Sequence, residues 1–160
     1  MDTLYFDLLQ FVYHLALAVL VGGALVLGSA AAPAIFRTVR SRSEAGTIFG
    51  AVLARYEQLA VVAAIALVVT SVLKFAADED LAPGPRLYAR WAALALLVAL
   101  VLFGSVWAGP VARAIRARTP DFDDLPDSNP ARREFAQLHR SASRAMRVAI
   151  IVGLVALLLS

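Results

Sequence analysis

Four long runs of apolar residues, separated by polar segments, dominate the chain. Each run has about 20 residues, the length that an α-helix needs to cross the hydrocarbon core of a bilayer. With the polar turns that flank them, these runs predict helices at residues 4–32, 43–77, 87–112 and 130–160. We therefore expect an all-α fold, a four-transmembrane-helix antiparallel bundle, that forms one integral membrane domain over residues 1–160.

Local signals indicate where these helices begin and end. Pro33 and Pro110 follow the first and third apolar runs and are expected to end those helices. Ser43 is a good N-cap for the second helix. For the fourth helix, Asn129 provides a cap and Pro130 occupies the first helical position.

The two polar connections beyond the first hairpin differ in character. The connection at 78–86 is short, acidic and rich in turn-forming residues, which makes the second and third helices antiparallel neighbours. The connection at 119–130 is longer and polar, and we expect it to be mobile.

Composition strengthens the membrane interpretation and excludes several classes of protein. Apolar residues make up 61% of the chain, whereas soluble domains contain about 45–50%. The absence of cysteine excludes disulfides, thiolate metal sites and a cysteine nucleophile. The bundle occupies the chain so fully that a second, soluble domain does not fit.

Basic residues predict the orientation in the membrane, because cytoplasmic flanks of membrane helices are enriched in lysine and arginine. Twelve arginines flank the first and third connections, and only Lys74, Arg86 and Arg90 lie towards the other side. We expect both termini to be non-cytoplasmic in a multi-pass protein of the cytoplasmic (cell) membrane. The pI of about 9.8 is then explained by arginines that contact anionic lipids on the cytoplasmic face of the bilayer. We expect no nucleic acid partner.

His14 is the first candidate for chemistry, because polar groups inside a span are costly unless they face the bundle or a cavity. Helical spacing places one stripe of residues beside several small ones, which lets a neighbouring helix approach and predicts the packed face. The stripe consists of Asp7, His14, Ala18, Leu25 and Ala32, and the small residues are Gly22, Gly28 and Ser29. Two interpretations stay open. His14 either donates a hydrogen bond that holds the bundle in register, or it binds a ligand or handles protons.

Thr70 and Lys74 are further candidates for that ligand or proton-handling site, together with Asp7. Thr70 and Lys74 are four residues apart, so these two side chains share one face of the second helix. Counting along the helices places them in the outer half of the membrane with His14, and Arg90 nearer the outer interface. These groups could converge, or Lys74 could extend to the outer headgroups instead.

A second polar cluster is expected at the inner side. Arg140, Arg144 and Arg147 follow an i, i+4, i+7 stripe on the fourth helix. Counted from a helix end near Ser160, Arg147 falls close to the bilayer middle, and Glu57 is its nearest expected partner. The predicted cluster consists of Tyr56, Glu57, His139, Arg144 and Arg147.

Two interpretations of the arginine stripe compete. It either anchors the protein to anionic lipid headgroups, or it lines an anion or phosphate site with His139.

We predict no catalytic residues. For cofactors, our first expectation is that none is bound, and haem or a metal ion is the alternative. His14 and His139 are separated by roughly 25 Å along the membrane normal, which is too far to ligate one haem together. Ligation of a haem by a single histidine is the remaining alternative. Copper sites use several cysteine, methionine or histidine ligands, so His14 is only a weak metal candidate.

Four segments carry a resemblance to a known family: HLALAVLVGGALVLGSAAAPAIF, FGAVLARYEQL, WAGPVARAIRAR and FAQLHRSAS. Together they resemble domain-of-unknown-function family 4149, the group that contains transmembrane protein 205-like proteins and is distantly similar to CopD-like membrane proteins. The resemblance implies a four-helix membrane domain of no established activity, with a transport-associated or metal-tolerance role as one possibility. The positions that carry it are His14, Gly22, Gly23, Pro33, Phe36, Phe49, Tyr56, Gly109, Pro110, Phe135 and His139.

Three functions from different classes follow from these observations. The first is a non-enzymatic membrane protein that assists transport or metal handling, a role that favours a homo-oligomer joined through small residues such as Ala24, Gly28 and Ala31. The second is a haem- or redox-linked membrane enzyme that uses His14. The third is an anionic-lipid-binding or membrane interaction protein.

Overall fold

The computed structural model describes residues 3–78 and 84–160, and both ranges are all-α. The acidic connection at 79–83 lies outside the described residues. Within these two ranges, four helices are long and apolar enough to cross a membrane, which confirms the four predicted transmembrane helices. The helical elements, in chain order, are α1 (Thr3–Val26), a π-helical turn (Leu27–Ala31), α2 (Ala32–Thr38), α3 (Arg42–Asp78), α4 (Pro85–Leu102), a second π-helical turn (Phe103–Ala108), α5 (Gly109–Arg118) and α6 (Pro130–Leu158).

The prediction that the two prolines end their helices is wrong. The first span continues beyond Pro33 to Thr38, and the third continues beyond Pro110 to Arg118. A proline inside a helix lacks an N–H and collides with the carbonyl four residues earlier. In both spans a π-helical turn just before the proline widens the backbone, with hydrogen bonds that reach five residues back.

The start of α6 is as predicted, whereas the start of α3 is capped by a different serine. Asn129 accepts a hydrogen bond of 2.9 Å from the backbone N–H of Ala131, with Pro130 at the first helical position. At α3, the hydroxyl of Ser41 accepts from the N–H of Glu44 at 3.0 Å, and Ser43 donates to Asp123 instead. The serine two residues earlier therefore acts as the cap.

The bundle has two ends, which we name by their contents. The terminal end holds the start of α1, the end of α3, the start of α4 and the end of α6. The basic end holds α2, α5, the connection at 119–129 and the start of α6. In between, α1 packs along α3 and α6, and α4 packs along α6. Among the described residues, Tyr13, Leu17, Leu67 and Leu97 are the largest fully buried side chains.

The face of α1 that packs into the bundle is not the predicted one. Asp7, Ala18 and Leu25 are exposed, whereas Leu17 and Ala24 are buried. Apolar and small side chains can face lipid at little cost, so shape complementarity and not polarity decides which face a membrane helix buries. Ala24 therefore contributes to packing within the chain.

Side-chain contacts hold the connection at 119–129 against the bundle. The side chain of Phe122 is buried between the guanidinium groups of Arg116 and Arg132, each 5.8 Å from its ring centroid. Phe122 also meets the ring of Phe135 at 5.1 Å. Arg132 donates to the carbonyl oxygens of Asp123 (2.9 Å) and Leu125 (3.0 Å), which fixes the backbone of the connection.

Candidate functional site

Two exposed aromatic residues on the third span indicate how deep each residue lies in the membrane. Tyr88 and Trp107 are exposed on the third span, and they are separated by about 28 Å along a helix, close to the hydrocarbon thickness of about 30 Å. Such aromatic residues mark membrane interfaces, and Leu97 lies midway between them. A Cβ on Gly153 would meet the methyl groups of Leu97 at 3.7 Å and would collide with Val21. Leu97, Val21 and Gly153 therefore share the middle level of the bundle.

A buried polar group lies between this level and the terminal end. Lys74 on α3 is only 4% exposed, and its Nζ donates to Oε1 of Gln10 on α1. The same Nζ lies 4.7 Å from the ring centroid of Tyr13, a side chain that is 1% exposed. Lys74 thus faces the bundle interior, and the expectation that it extends to the headgroups is wrong. The terminal-end cluster is defined here as Gln10, Tyr13, Thr70, Ser71 and Lys74.

The hydroxyl groups of Thr70 and Ser71 in this cluster donate to carbonyl groups of their own helix. Thr70 donates to Ala66 at 2.7 Å and Ser71 donates to Leu67 at 2.6 Å. Both side chains are buried, and Arg90 on α4 is buried as well. The donors are thereby satisfied, while the oxygen lone pairs stay available as acceptors.

His14 lies beside this cluster but faces a different helix. Its Nε2 is 3.1 Å from Oγ of Ser160, and its ring meets the adjacent Tyr13 edge-on at 5.4 Å. Asp7 is exposed. The structure thus brings Lys74 together with Gln10 and Tyr13, which sequence reasoning missed. The i, i+3 spacing of Gln10 and Tyr13 on a predicted helix was the signal that could have revealed them.

Glu57 forms the ion pair of the inner cluster, with a partner that was not expected. Its Oε2 lies 2.6 Å from Nη2 of Arg113 on α5, and the pairing with Arg147 is therefore wrong. The other carboxylate oxygen presses against Gly109, where a Cβ would collide with it and would lie 2.9 Å from the carboxyl carbon. Gly109 and Arg113 are one turn apart, so both face α3.

Tyr56, the neighbour of Glu57, connects α3 to α1. Its hydroxyl donates to the carbonyl oxygen of Leu20 at 2.7 Å. The ring lies so close to Gly23 that a Cβ there would collide with it. This part of the inner cluster therefore forms helix-to-helix contacts in the interior.

The arginine stripe and His139 lie elsewhere. Arg140, Arg144 and Arg147 are all exposed on α6. His139 is stacked on Phe135 at 6.1 Å, one turn earlier on the same helix. The structure does not bring His139 into the interior with Glu57 or Tyr56.

The depth of Arg147 also differs from the prediction. Measured from Gly153 at the middle level, Arg147 lies about 9 Å towards the basic end, Arg144 about 14 Å and Arg140 about 20 Å. The prediction counted inwards from a helix end placed at the membrane surface. The contact of Gly153 with Val21 and Leu97 shifts the whole of α6 by several residues.

Potential metal ligands are dispersed in the part of the chain that the structure describes. Among those residues, no group of three or more His, Asp or Glu side chains is placed to hold a metal ion. His14 and His139 lie towards opposite ends of the bundle, as the sequence predicted from helical rise.

A sequence comparison assigns the family. The model of a family described as a domain of unknown function (DUF4149) matches residues 15–120, about two thirds of the chain. The chain belongs to the DUF4149 family. The DUF4149 match contains Glu57, Lys74, Gly109 and Arg113 and ends before α6, so it is shorter than the resemblance read from the sequence. No curated protein and no solved structure gives a significant match to this DUF4149 member.

Proposed function

We propose that this DUF4149 protein is a multi-pass protein of the cell membrane that binds anionic phospholipid headgroups through the arginine stripe of α6. The stripe consists of Arg140, Arg144 and Arg147. The position of the stripe carries the proposal, because its three side chains point away from the bundle at the depth where the headgroups begin. A non-enzymatic role in membrane interaction follows.

The direction of the stripe comes from helical periodicity. Ala145, Ala149 and Ala156 form the face of α6 that is buried in the bundle. At 100° per residue the three arginines fall on the opposite side of the helix, and all three are exposed. In the described parts of the chain they take no part in the ion pairs, which involve Arg113, Arg116 and Arg132. Their guanidinium groups are therefore accessible from the lipid.

The depth of the stripe matches the boundary between hydrocarbon and headgroups. That boundary lies about 15 Å from the bilayer middle, between Arg140 at about 20 Å and Arg147 at about 9 Å. The long side chain of Arg147 can extend towards the headgroups while its methylene groups stay among the acyl chains. Each arginine near an anionic surface contributes about 1 kcal/mol, and a guanidinium can bind phosphate in a bidentate manner.

The test is retention of phosphatidylglycerol when the purified protein is moved from mixed lipid into neutral detergent. A variant with Arg140→Gln, Arg144→Gln and Arg147→Gln should lose most of the retained phosphatidylglycerol. A matched control with Arg37→Gln, Arg40→Gln and Arg42→Gln removes the same charge from the basic end outside the stripe. Equal retention by both variants would refute a site on α6.

We further propose that the basic end is cytoplasmic. The twelve arginines near the first and third connections support this orientation. Because the chain is free of cysteine, the single substitutions Asp124→Cys and Arg86→Cys, both at exposed positions, can be labelled without background. A membrane-impermeant maleimide applied to intact cells should label the Arg86→Cys protein and spare the Asp124→Cys protein. The reverse pattern would invert the assignment.

A second candidate function is assistance of transport, and the terminal-end cluster favours it. Buried polar and ionisable side chains within membrane spans commonly mark pathways for ions or protons. Proton flux into proteoliposomes, followed with an entrapped pyranine dye, tests this candidate directly. Flux above that of protein-free vesicles, reduced by Lys74→Met and unchanged by the exposed Phe11→Leu, is the expected result. Flux equal to that of empty vesicles would contradict it.

A further inference from the structure

Helix α5 is clamped to α3 by two arginines that reach in opposite directions. Arg113 extends towards the membrane interior and pairs with Glu57 at 2.6 Å. Arg116, about one turn later, extends towards the basic end, where it donates to the carbonyl oxygen of Ser43 at 3.2 Å and to Asp123 at 2.7 Å. The position of α5 therefore depends on where these two guanidinium groups find their anions.

The π-helical turn before α5 is what presents Arg113 to Glu57. The N–H of Gly109 bonds to the carbonyl oxygen of Gly104, five residues back. An additional residue in a turn rotates the following helix by about 100° relative to an uninterrupted α-helix. Gly109 and Arg113 thereby come to face α3, and the missing side chain of Gly109 admits the Glu57 carboxylate.

The side chains of Glu57 and Arg113 differ in how far they are exposed. The side chain of Glu57 is 9% exposed, whereas that of Arg113 is 39% exposed. Counted from Leu97, Arg113 lies about 24 Å from the bilayer middle, beyond the hydrocarbon boundary at about 15 Å. A phosphate of the headgroup layer can therefore approach Arg113 while Glu57 stays covered.

We propose that the Glu57–Arg113 pair is a latch that closes α5 onto α3, and that the phosphate of an anionic lipid opens it by taking over Arg113. Phosphate offers a guanidinium the same bidentate geometry as a carboxylate and carries its charge at the surface, where Arg113 is already part-exposed. The π-helical turn supplies the flexible point, because π-helical turns interrupt regular α-helical hydrogen bonding. This regulation rests on the proposed binding of anionic lipid, independently of the α6 stripe, and adds a conformational response to that binding.

The experiment measures the distance between α3 and α5 with nitroxide labels on cysteines that replace Ala51 and Ala117. Both positions are exposed, and the chain contains no other cysteine. The labelled protein is placed in lipid nanodiscs of phosphatidylcholine, or of phosphatidylcholine and phosphatidylglycerol in equal amounts. We expect the main distance to lengthen by ~5 Å or more, about one helical pitch, in the anionic discs.

Variants separate the latch from general effects of charge. Glu57→Gln should give the longer distance already in neutral discs, and Glu134→Gln, which removes an exposed carboxylate of α6, should behave as the unmodified protein. The exchange Glu57→Arg with Arg113→Glu should restore the short distance and abolish the response to phosphatidylglycerol. That result would show that a mere loss of folding does not explain Glu57→Gln.

Two outcomes would overturn the latch: an unchanged distance in anionic discs, or a Glu57→Gln protein with the short distance. Lipid retention measured on the same samples keeps the two proposals apart. If the α6 triple variant loses retention while the labelled protein never lengthens, lipid binding stands and the latch fails. If retention does not depend on the stripe but the distance still responds, the latch stands and the α6 site fails.

Discussion

The phenol of Tyr56 donates a hydrogen bond of 2.7 Å to the carbonyl oxygen of Leu20, across the interface between α3 and α1. The carbonyl groups of a helix are normally occupied by the N–H groups of the next turn, so this bond is an additional contact on an already bonded acceptor. It is possible because Gly23, one turn further along α1, has no side chain to obstruct the ring. A tyrosine and a glycine on different helices thus define the spacing of the first hairpin.

Gly23→Ala should therefore destabilise the bundle. Its Cβ would collide with the ring of Tyr56, a rigid group that cannot move aside without separating the helices. Overpacking of this kind costs about 1–3 kcal/mol. The protein is heated in detergent, and size-exclusion chromatography then measures the fraction that has not aggregated. Gly22→Ala is the matched control, since open space surrounds its Cβ position. Equal stability of the two variants would show that the ring does not determine the spacing.

The close contact of Gly153 with Val21 leads to a second prediction. Gly153→Leu should separate α6 from α1, because a Cβ alone already collides with a methyl group of Val21 and a longer side chain has no space. We expect a loss of about 1–3 kcal/mol, with partial recovery by the compensating change Val21→Ala. The midpoint of heat-induced change in tryptophan fluorescence would report both effects. A Gly153→Leu protein as stable as the original would contradict the assigned depth of α6.

The number and length of the spans could be predicted from the sequence because lipid requires about 20 apolar residues for each helix. Which face of a helix packs inwards could not. In α1 the stripe flanked by small residues indicated Asp7, Ala18 and Leu25, whereas the buried face is centred on Leu17. A bilayer does not penalise an exposed leucine, so hydropathy has no power to distinguish the two faces.

The candidate sites were predicted less completely, for reasons of geometry. Glu57 was recognised as a buried acid, but its partner Arg113 depends on the rotation introduced by the π-helical turn before Gly109. That turn has no simple signal in the sequence beyond the proline that follows it. In the same way, the depth of Arg147 depends on the side-by-side contact of Gly153 with Val21.

The buried ring of Phe122 yields a third prediction, about the connection at 119–129. Phe122→Ala removes the group that Arg116, Arg132 and Phe135 surround, so the connection should become accessible to protease. Trypsin should then cleave after Arg118 or Arg132 several times faster than in the unmodified protein, while the membrane helices stay intact. The variant Phe11→Ala, which alters a lipid-exposed ring, should leave the cleavage rate unchanged. Equal cleavage of both variants would mean that Phe122 does not hold the connection.

Gly109→Ala provides the most selective test of the inner ion pair. The added Cβ would occupy the space of the Glu57 carboxylate and would lie 3.0 Å from the carbonyl oxygen of Gly104. Glu57 must then withdraw from Arg113, and a buried carboxylate that loses its ion pair is expected to cost roughly 1–3 kcal/mol. Gly104→Ala is the matched control, because nothing lies within 4 Å of its Cβ position. Alanine is the better helix former by about 1 kcal/mol, so this second change should be neutral or slightly stabilising. Gly109→Ala should thus lower the thermal midpoint, whereas Gly104→Ala, five residues earlier in the same span, should leave it unchanged or raise it slightly. Stabilisation by both would mean that Glu57 adapts without losing Arg113, and that the pair does not constrain α5.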